Sequence, residues 1–230
     1  MAFESLRQEV LAANLALPEH GLVKLTWGNV SGLDREAGVM AIKPSGVSYD
    51  GMTAQDIVLV DVSSGEVVGG ERRPSSDTPT HVALYRALEG IGGIVHTHST
   101  FATAWAQAGR EIPVLGTTHA DFSAEAVRLT RALTADEVES AYEEETGTVI
   151  LEAVEGHPDE VPAVLVRGHA PFCWGENAAK AVEAAVTLEE VARLALLSRV
   201  LDPNGPVLDA WVRDKHHKRK HGPAAYYGQS

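Results

Sequence analysis

The chain has almost no cysteine: Cys173 stands alone among 230 residues. A single thiol forms no intrachain disulfide and no cysteine cluster is available to hold a metal, which fits a reducing cytosol. Positive charge is also scarce, with 19 Lys and Arg against 32 Asp and Glu and a formal net charge of −13. That balance argues against nucleic acid or an anionic membrane surface as the main partner. It does not exclude a small phosphorylated ligand, because backbone N–H groups and one or two cations suffice for a phosphate. Long apolar runs are missing too. Nothing approaches the roughly 18 residues that span a bilayer. Glu4, Arg7 and Glu9 interrupt the N-terminal stretch where a secretory leader needs an unbroken apolar region. The expectation is a cytoplasmic protein.

What is present suits a folded chain. The hydrophobic share of 44% beside 22% charged residues allows a substantial core. Leu6, Val10, Leu11 and Leu15 recur at helical spacing, predicting an amphipathic helix that stops near Pro18. Strand-like runs follow at 26–30, 39–42 and 57–62, and Ser63-Ser64-Gly65 reads as a hairpin turn into a strand at 66–68. Helices are expected at 78–88, with proline in its first turn, and at 101–108. Thr134 and Glu137 form a capping box ahead of a helix through the acidic Glu143, Glu144 and Glu145, and 149–154 is read as helix. Residues 155–162 read as loop and 163–166 as a second buried strand. Asn177 caps the longest helix, to about residue 200, and a last helix is expected over 207–217. No repeat, low-complexity tract or long linker divides the chain, so interleaved strands and helices predict a single α/β domain.

Residues 93–99 read GIVHTHS. Side chains two apart on a strand share a face, so His96 and His98 would project together at a strand end and share a metal ion. Two buried histidines satisfied by neighbours is the alternative. His169, in GHAPF, follows the strand at 163–166, and Asp77, in PSSDTPTH, precedes a helix. Asp77 is either a carboxylate ligand or a helix cap. Three imidazoles and a carboxylate suit zinc first, manganese or cobalt second. His81, His119 and His157 end no obvious strand and rank lower. The loops TWGNVS, IKPSG and RPSSD carry Gly28, Asn29, Lys43, Ser45, Gly46, Ser75 and Ser76, donors that suit a phosphate or merely build turns. GTTHADF places His119 and Asp121 in a loop, and Tyr226-Tyr227 lies near the end of the chain.

In order along the chain, TWGNVS, IKPSG, PSSDTPTH, GIVHTHS, GTTHAD, GHAPF with its following WG, and the KHG…YYGQ ending resemble the L-ribulose-5-phosphate 4-epimerases. These form a branch of the class II aldolase family of metal-dependent sugar-phosphate enzymes. The likeness runs from Gln8 to Gln229. It implies a three-layer α/β/α fold around a mostly antiparallel sheet. It implies one zinc per subunit, held by Asp77, His96, His98 and His169. It also implies a phosphate pocket of Gly28, Asn29, Ser45, Gly46, Ser75 and Ser76 with Lys43 close by, and Asp121 and Tyr227 as an acid/base pair. The implied assembly is a cyclic homotetramer with sites between subunits, the tail from about residue 213 packing on a neighbour. Arg167 departs from the pattern, which has a further histidine there. Fuculose-phosphate aldolases, the nearest competitor, carry glutamate where Asp77 stands and lack the YYGQ ending. A zinc hydrolase is disfavoured, because the chain shows no evident base such as the glutamate of an HExxH helix.

Overall fold

The computed structural model describes residues 3–154, 161–222 and 225–227. A seven-stranded sheet forms the middle layer. Its strands are β1 (Asn29–Asp34), β2 (Val39–Ile42), β3 (Val58–Asp61), β4 (Val67–Gly69), β5 (Gly93–His96), β6 (Ala163–Leu165) and β7 (Pro171–Gly175), in the order β4-β3-β2-β1-β5-β7-β6. Every neighbouring pair is antiparallel. The helices are α1 (Glu4–Glu19), α2 (Thr78–Ala87), α3 (Thr100–Gln107), α4 (Thr117–Phe122), α5 (Ala135–Val154), α6 (Ala178–Leu201) and α7 (Ala210–Lys220). Among the described residues, no helix is long and apolar enough to cross a membrane.

Both sheet faces are covered, because alternate strand residues are apolar toward each side. Val39 and Ala41 of β2 and Val95 of β5 join Val10 and Leu17 of α1, Trp105 of α3 and Leu188 of α6 in one core. Met40 and Ile42 of β2 and Ile94 of β5 join Val82, Leu84 and Tyr85 of α2 and Ile150 of α5 in the other. The expected three-layer arrangement is therefore present. Strand parity places His96 on the side of Ile94, beneath α2 and α5.

Close packing explains the glycines that open β5. A Cβ on Gly93 would lie 2.3 Å from the carbonyl oxygen of Asn177, so only glycine lets the strand approach the start of α6. Asn177 caps α6 as expected, accepting the Lys180 N–H at 2.9 Å. The capping box of α5 also forms: Thr134 N donates to Glu137 Oε2 at 2.7 Å and Glu137 N to Thr134 Oγ1 at 3.3 Å. Residues 149–154 are helical, as read.

Four readings need correction. The strand expected at 26–30 begins only at Asn29, because Leu25 (φ 53°) and Gly28 (φ 78°) hold the chain in left-handed turns. His119 and Asp121 lie on α4 rather than in a loop, since Ala120 N reaches Gly116 O at 3.1 Å. The final helix starts at Ala210, not 207, because Leu208 N is bonded to Val114 O at 2.9 Å and keeps that stretch extended. Strand β7 was not anticipated, its proline and short length obscuring a segment that pairs on both edges. The loop reading over 155–160, with His157, falls outside the described residues, as does Gln229.

Candidate metal centre and phosphate cleft

His96 ends β5 between two cross-strand neighbours, Asn29 of β1 and Phe172 of β7. The Phe172 ring stacks on the imidazole at 4.2 Å, and His96 Nδ1–H donates to Pro171 O at 3.0 Å. That bond leaves Nε2 free for a ligand role. The strand stops here, so His98 stands beyond it, just before the Ser99 cap of α3. His169 occupies the turn between β6 and β7, where Gly168 supplies φ 74° and Val166 N bonds Ala170 O. The three ring centroids lie 4.9–5.0 Å apart. One ring nitrogen from each falls within 4.8 Å of the others.

The donor set fits a cation. His98 Nε2 and His169 Nε2 face each other at 3.2 Å. Burial, reinforced by the charges of His96 and His98, lowers His169 to about 4; burial and His96 also lower His98. Both rings are neutral at neutral pH, and with His96 they could offer one nitrogen lone pair each to a divalent ion. Tyr142 OH lies 3.4 Å from His169 Nδ1 on the outer side.

Asp77 lines the same cleft but makes no side-chain cap on α2. Its Oδ2 accepts from Asn29 Nδ2 at 2.6 Å, so the helix-cap alternative is not realised. Burial pushes its carboxyl up, but the charges of His96, His81 and His169 and the Asn29 amide bring it below the usual range. It lies outside the tight three-histidine group.

Gly28, Asn29, Lys43, Ser45, Gly46, Ser75 and Ser76 all line this cleft of about 460 Å³. Two loops carrying these donors are stitched together, Ser45 N to Arg73 O at 2.9 Å and Ser75 N to Lys43 O at 3.0 Å. Ser75 Oγ accepts from Asn29 Nδ2 at 3.1 Å and Asp77 N at 3.3 Å, which leaves its own hydrogen to donate. Lys43 is 1% exposed; its Nζ donates to Thr26 O and Pro44 O and sits 4.8 Å from the Tyr49 ring centre. Burial lowers it to about 8, so it remains mostly charged at neutral pH.

Asp121 and Tyr227 do not line the cleft. Asp121 sits on α4 and accepts from His216 Nδ1 at 3.0 Å and from Arg219 Nε and Nη2 at 2.9 and 2.5 Å. Burial opposes ionisation, but the Arg219 and His216 hydrogen bonds hold the carboxyl below its usual range. Tyr227 lies over the same guanidinium at 4.5 Å. The pair thus shares Arg219 in a separate constellation on the α7 side. Arg167 also points elsewhere, its guanidinium packing against Gly109.

Two cleft residues escaped sequence reasoning. Tyr142 and Glu143 enter because α5 breaks at Ala141 (φ −158°, ψ 64°), and the Glu143 carbonyl is caught by Thr80 Oγ1 at 2.5 Å. The acidic run reads as a solvated helix face, and no local signal marks the break. Trp27, inside a recognised motif, lines the rim as well.

The fold has known counterparts. Residues 8–196 match the class II aldolase and adducin N-terminal domain. The solved structure of an L-fuculose 1-phosphate aldolase is 30% identical over 95% of this chain and 97% of its own, with a TM-score of 0.80. L-fuculose-1-phosphate aldolase from Thermus thermophilus is 25% identical over 88% of this chain and 98% of its own, with a TM-score of 0.65. YgbL from Klebsiella pneumoniae shares the fold at 24% identity, covering 94% of this chain and 99% of its own, with a TM-score of 0.73. A matched span from Gln8 to Leu196 that encloses all three histidines makes this chain a member of the class II aldolase family.

Proposed function

We propose that this chain is a zinc-dependent L-ribulose-5-phosphate 4-epimerase that inverts the fourth carbon by retro-aldol cleavage and re-addition, giving D-xylulose 5-phosphate. The observation that carries the reading is the separation of two sets of groups. Three histidines, Asp77 and the phosphate donors share one cleft, while Asp121 and Tyr227 form their own constellation around Arg219. Inversion needs proton transfer on opposite faces of the aldehyde fragment, and a second copy of the chain would bring the second set to the first.

His96, His98, His169 and Asp77 would hold the metal, which supplies Lewis-acid stabilisation of charge developing at the ketose carbonyl. Ser75, Ser76 and the backbone at Gly46 hold the phosphate, Asn29 fixing the Ser75 hydroxyl, with the buried Lys43 ammonium as its counter-charge. This grip keeps the aldehyde fragment in place while it turns its other face. Asp121 takes the hydroxyl proton on one face, oriented by Arg219 and His216, and Tyr227 acts on the other. We place the whole chain, 1–230, in one domain, its tail from residue 213 reaching a neighbour within a homotetramer.

The 30% identical L-fuculose 1-phosphate aldolase favours a second reading, a lyase that releases the fragments. Incubating zinc-loaded protein with L-ribulose 5-phosphate separates the two. Epimerase activity yields D-xylulose 5-phosphate; free glycolaldehyde phosphate, or turnover of L-fuculose 1-phosphate alone, identifies the lyase.

A further inference from the structure

Trp27 stands 53% exposed at the cleft rim, its ring 6.3 Å from that of His98. The backbone presenting it is held in place against strain. Leu25 adopts φ 53°, and Gly28 adopts φ 78° where a Cβ would meet His96 O at 2.9 Å. Tyr49 OH donates to Trp27 O at 2.8 Å and Gly28 O at 2.9 Å, Lys43 Nζ donates to Thr26 O, and Trp27 N reaches Lys24 O at 3.0 Å. Four hydrogen bonds therefore fix a loop whose most prominent side chain faces solvent. The other cleft walls are built mainly from hydroxyl, amide, carboxylate, ammonium and imidazole groups, with Tyr142 and Pro44 beside them, and Trp27 is the largest aromatic side chain of the lining. A sugar phosphate presents both a polar edge and a face of C–H groups, and the indole at the rim is a broad surface for the latter.

We propose that the Trp27 indole receives the carbon chain of the bound sugar phosphate and so selects it over bare phosphate. The inference rests on the sugar-phosphate reading above, and not on which bond is made or broken. The test compares zinc-loaded wild type, Trp27→Phe and Trp27→Ala with three probes: L-ribulose 5-phosphate, L-fuculose 1-phosphate and inorganic phosphate. The wild-type minus Trp27→Phe emission should shift to shorter wavelength with a sugar phosphate and stay constant with phosphate. Trp27→Ala should weaken sugar-phosphate binding about tenfold, with phosphate affinity and zinc content little changed, and Trp27→Phe should keep most of the affinity. Equal weakening toward sugar phosphate and phosphate would reduce Trp27 to a loop scaffold and overturn the proposal. So would emission that follows protein concentration, the mark of a contact between copies, or no emission response to either sugar phosphate. Binding with the emission shift but no turnover would remove the activity proposed above and leave this inference standing.

Discussion

Asn29 Nδ2 donates to Asp77 Oδ2 at 2.6 Å and to Ser75 Oγ at 3.1 Å, so a single amide joins the candidate metal carboxylate to the phosphate shelf. Asn29 is also the cross-strand partner of His96. Asn29→Ala should therefore harm both halves together. Metal affinity should fall about 10–100-fold, as expected when a ligand's supporting partner is lost. Phosphate binding should weaken by about 1.5–3 kcal/mol. Metal titration and phosphate inhibition on the same variant check this; a defect confined to one half would mean that the amide links nothing.

His96→Asn and His98→Asn should lose metal with the fold largely intact, since His98 lies beyond the end of β5 and asparagine keeps a polar side chain where the His96 ring meets Phe172 and the Pro171 carbonyl. Zinc should raise the melting temperature of wild type in a concentration-dependent way. It should leave the double variant unmoved. Full metal content in that variant, measured by elemental analysis, would falsify the assignment.

Lys43→Met should make the protein more stable and less able to bind phosphate. Burial lowers the folded pKa to about 8, below the unfolded value near 10.4, so the unfolded chain holds the proton more tightly. The cost is fully present below pH 8 and fades as pH rises toward 10.4. Removing the ammonium should add about 1–3 kcal/mol at pH 7. Denaturant midpoints and a phosphate titration, read together, test the trade.

His119 carries the acid sensitivity of α4. Burial lowers it to about 4, only partly offset by its hydrogen bond to the Glu125 carbonyl. Between about 4 and the unfolded value near 6.5, the unfolded chain binds a proton that the folded one refuses. Stability should then fall as pH drops through this window, by up to about 1.4 kcal/mol per pH unit for this side chain. His119→Gln should flatten the slope between pH 7.5 and 5. An unchanged slope would move the sensitivity to His81, which burial also lowers, to about 3.

Tyr227→Phe should abolish epimerisation without loss of zinc, and Asp121→Asn should do the same. If a neighbouring copy brings this pair to the cleft, mixing Tyr227→Phe with the metal-free His96→Asn/His98→Asn protein under exchanging conditions should restore sites that join an intact metal centre to an intact Asp121–Tyr227 pair. A mixture that stays dead after proven exchange would place the pair and the cleft it serves in one copy.

Much of this layout was legible in the residue order. The β2 run, the Thr134–Glu137 box and the Asn177 cap all signal locally, because each rests on side chains within a few positions. The convergence of His96 with His98 followed from strand parity, even though the strand stops at His96. Tyr142 and Glu143 could not be read this way. Their place depends on a helix break at Ala141 and on Thr80, more than sixty residues away. Strand β7 was missed because a proline and five residues carry little periodicity, and its pairing with β5 and β6 is a tertiary fact. The onset of α7 was misplaced for the same reason, through the distant carbonyl of Val114.

The matched family span ends at residue 196, ahead of α7, and no residue of α7 is buried. The cleft thus lies wholly within that span, whereas His216 and Arg219, which clamp Asp121, lie on a helix beyond it. On the function proposed above, capture and proton handling would sit on separately alterable parts of the chain. Changes to the last helix would then alter what becomes of a captured molecule without rebuilding the place where it is caught.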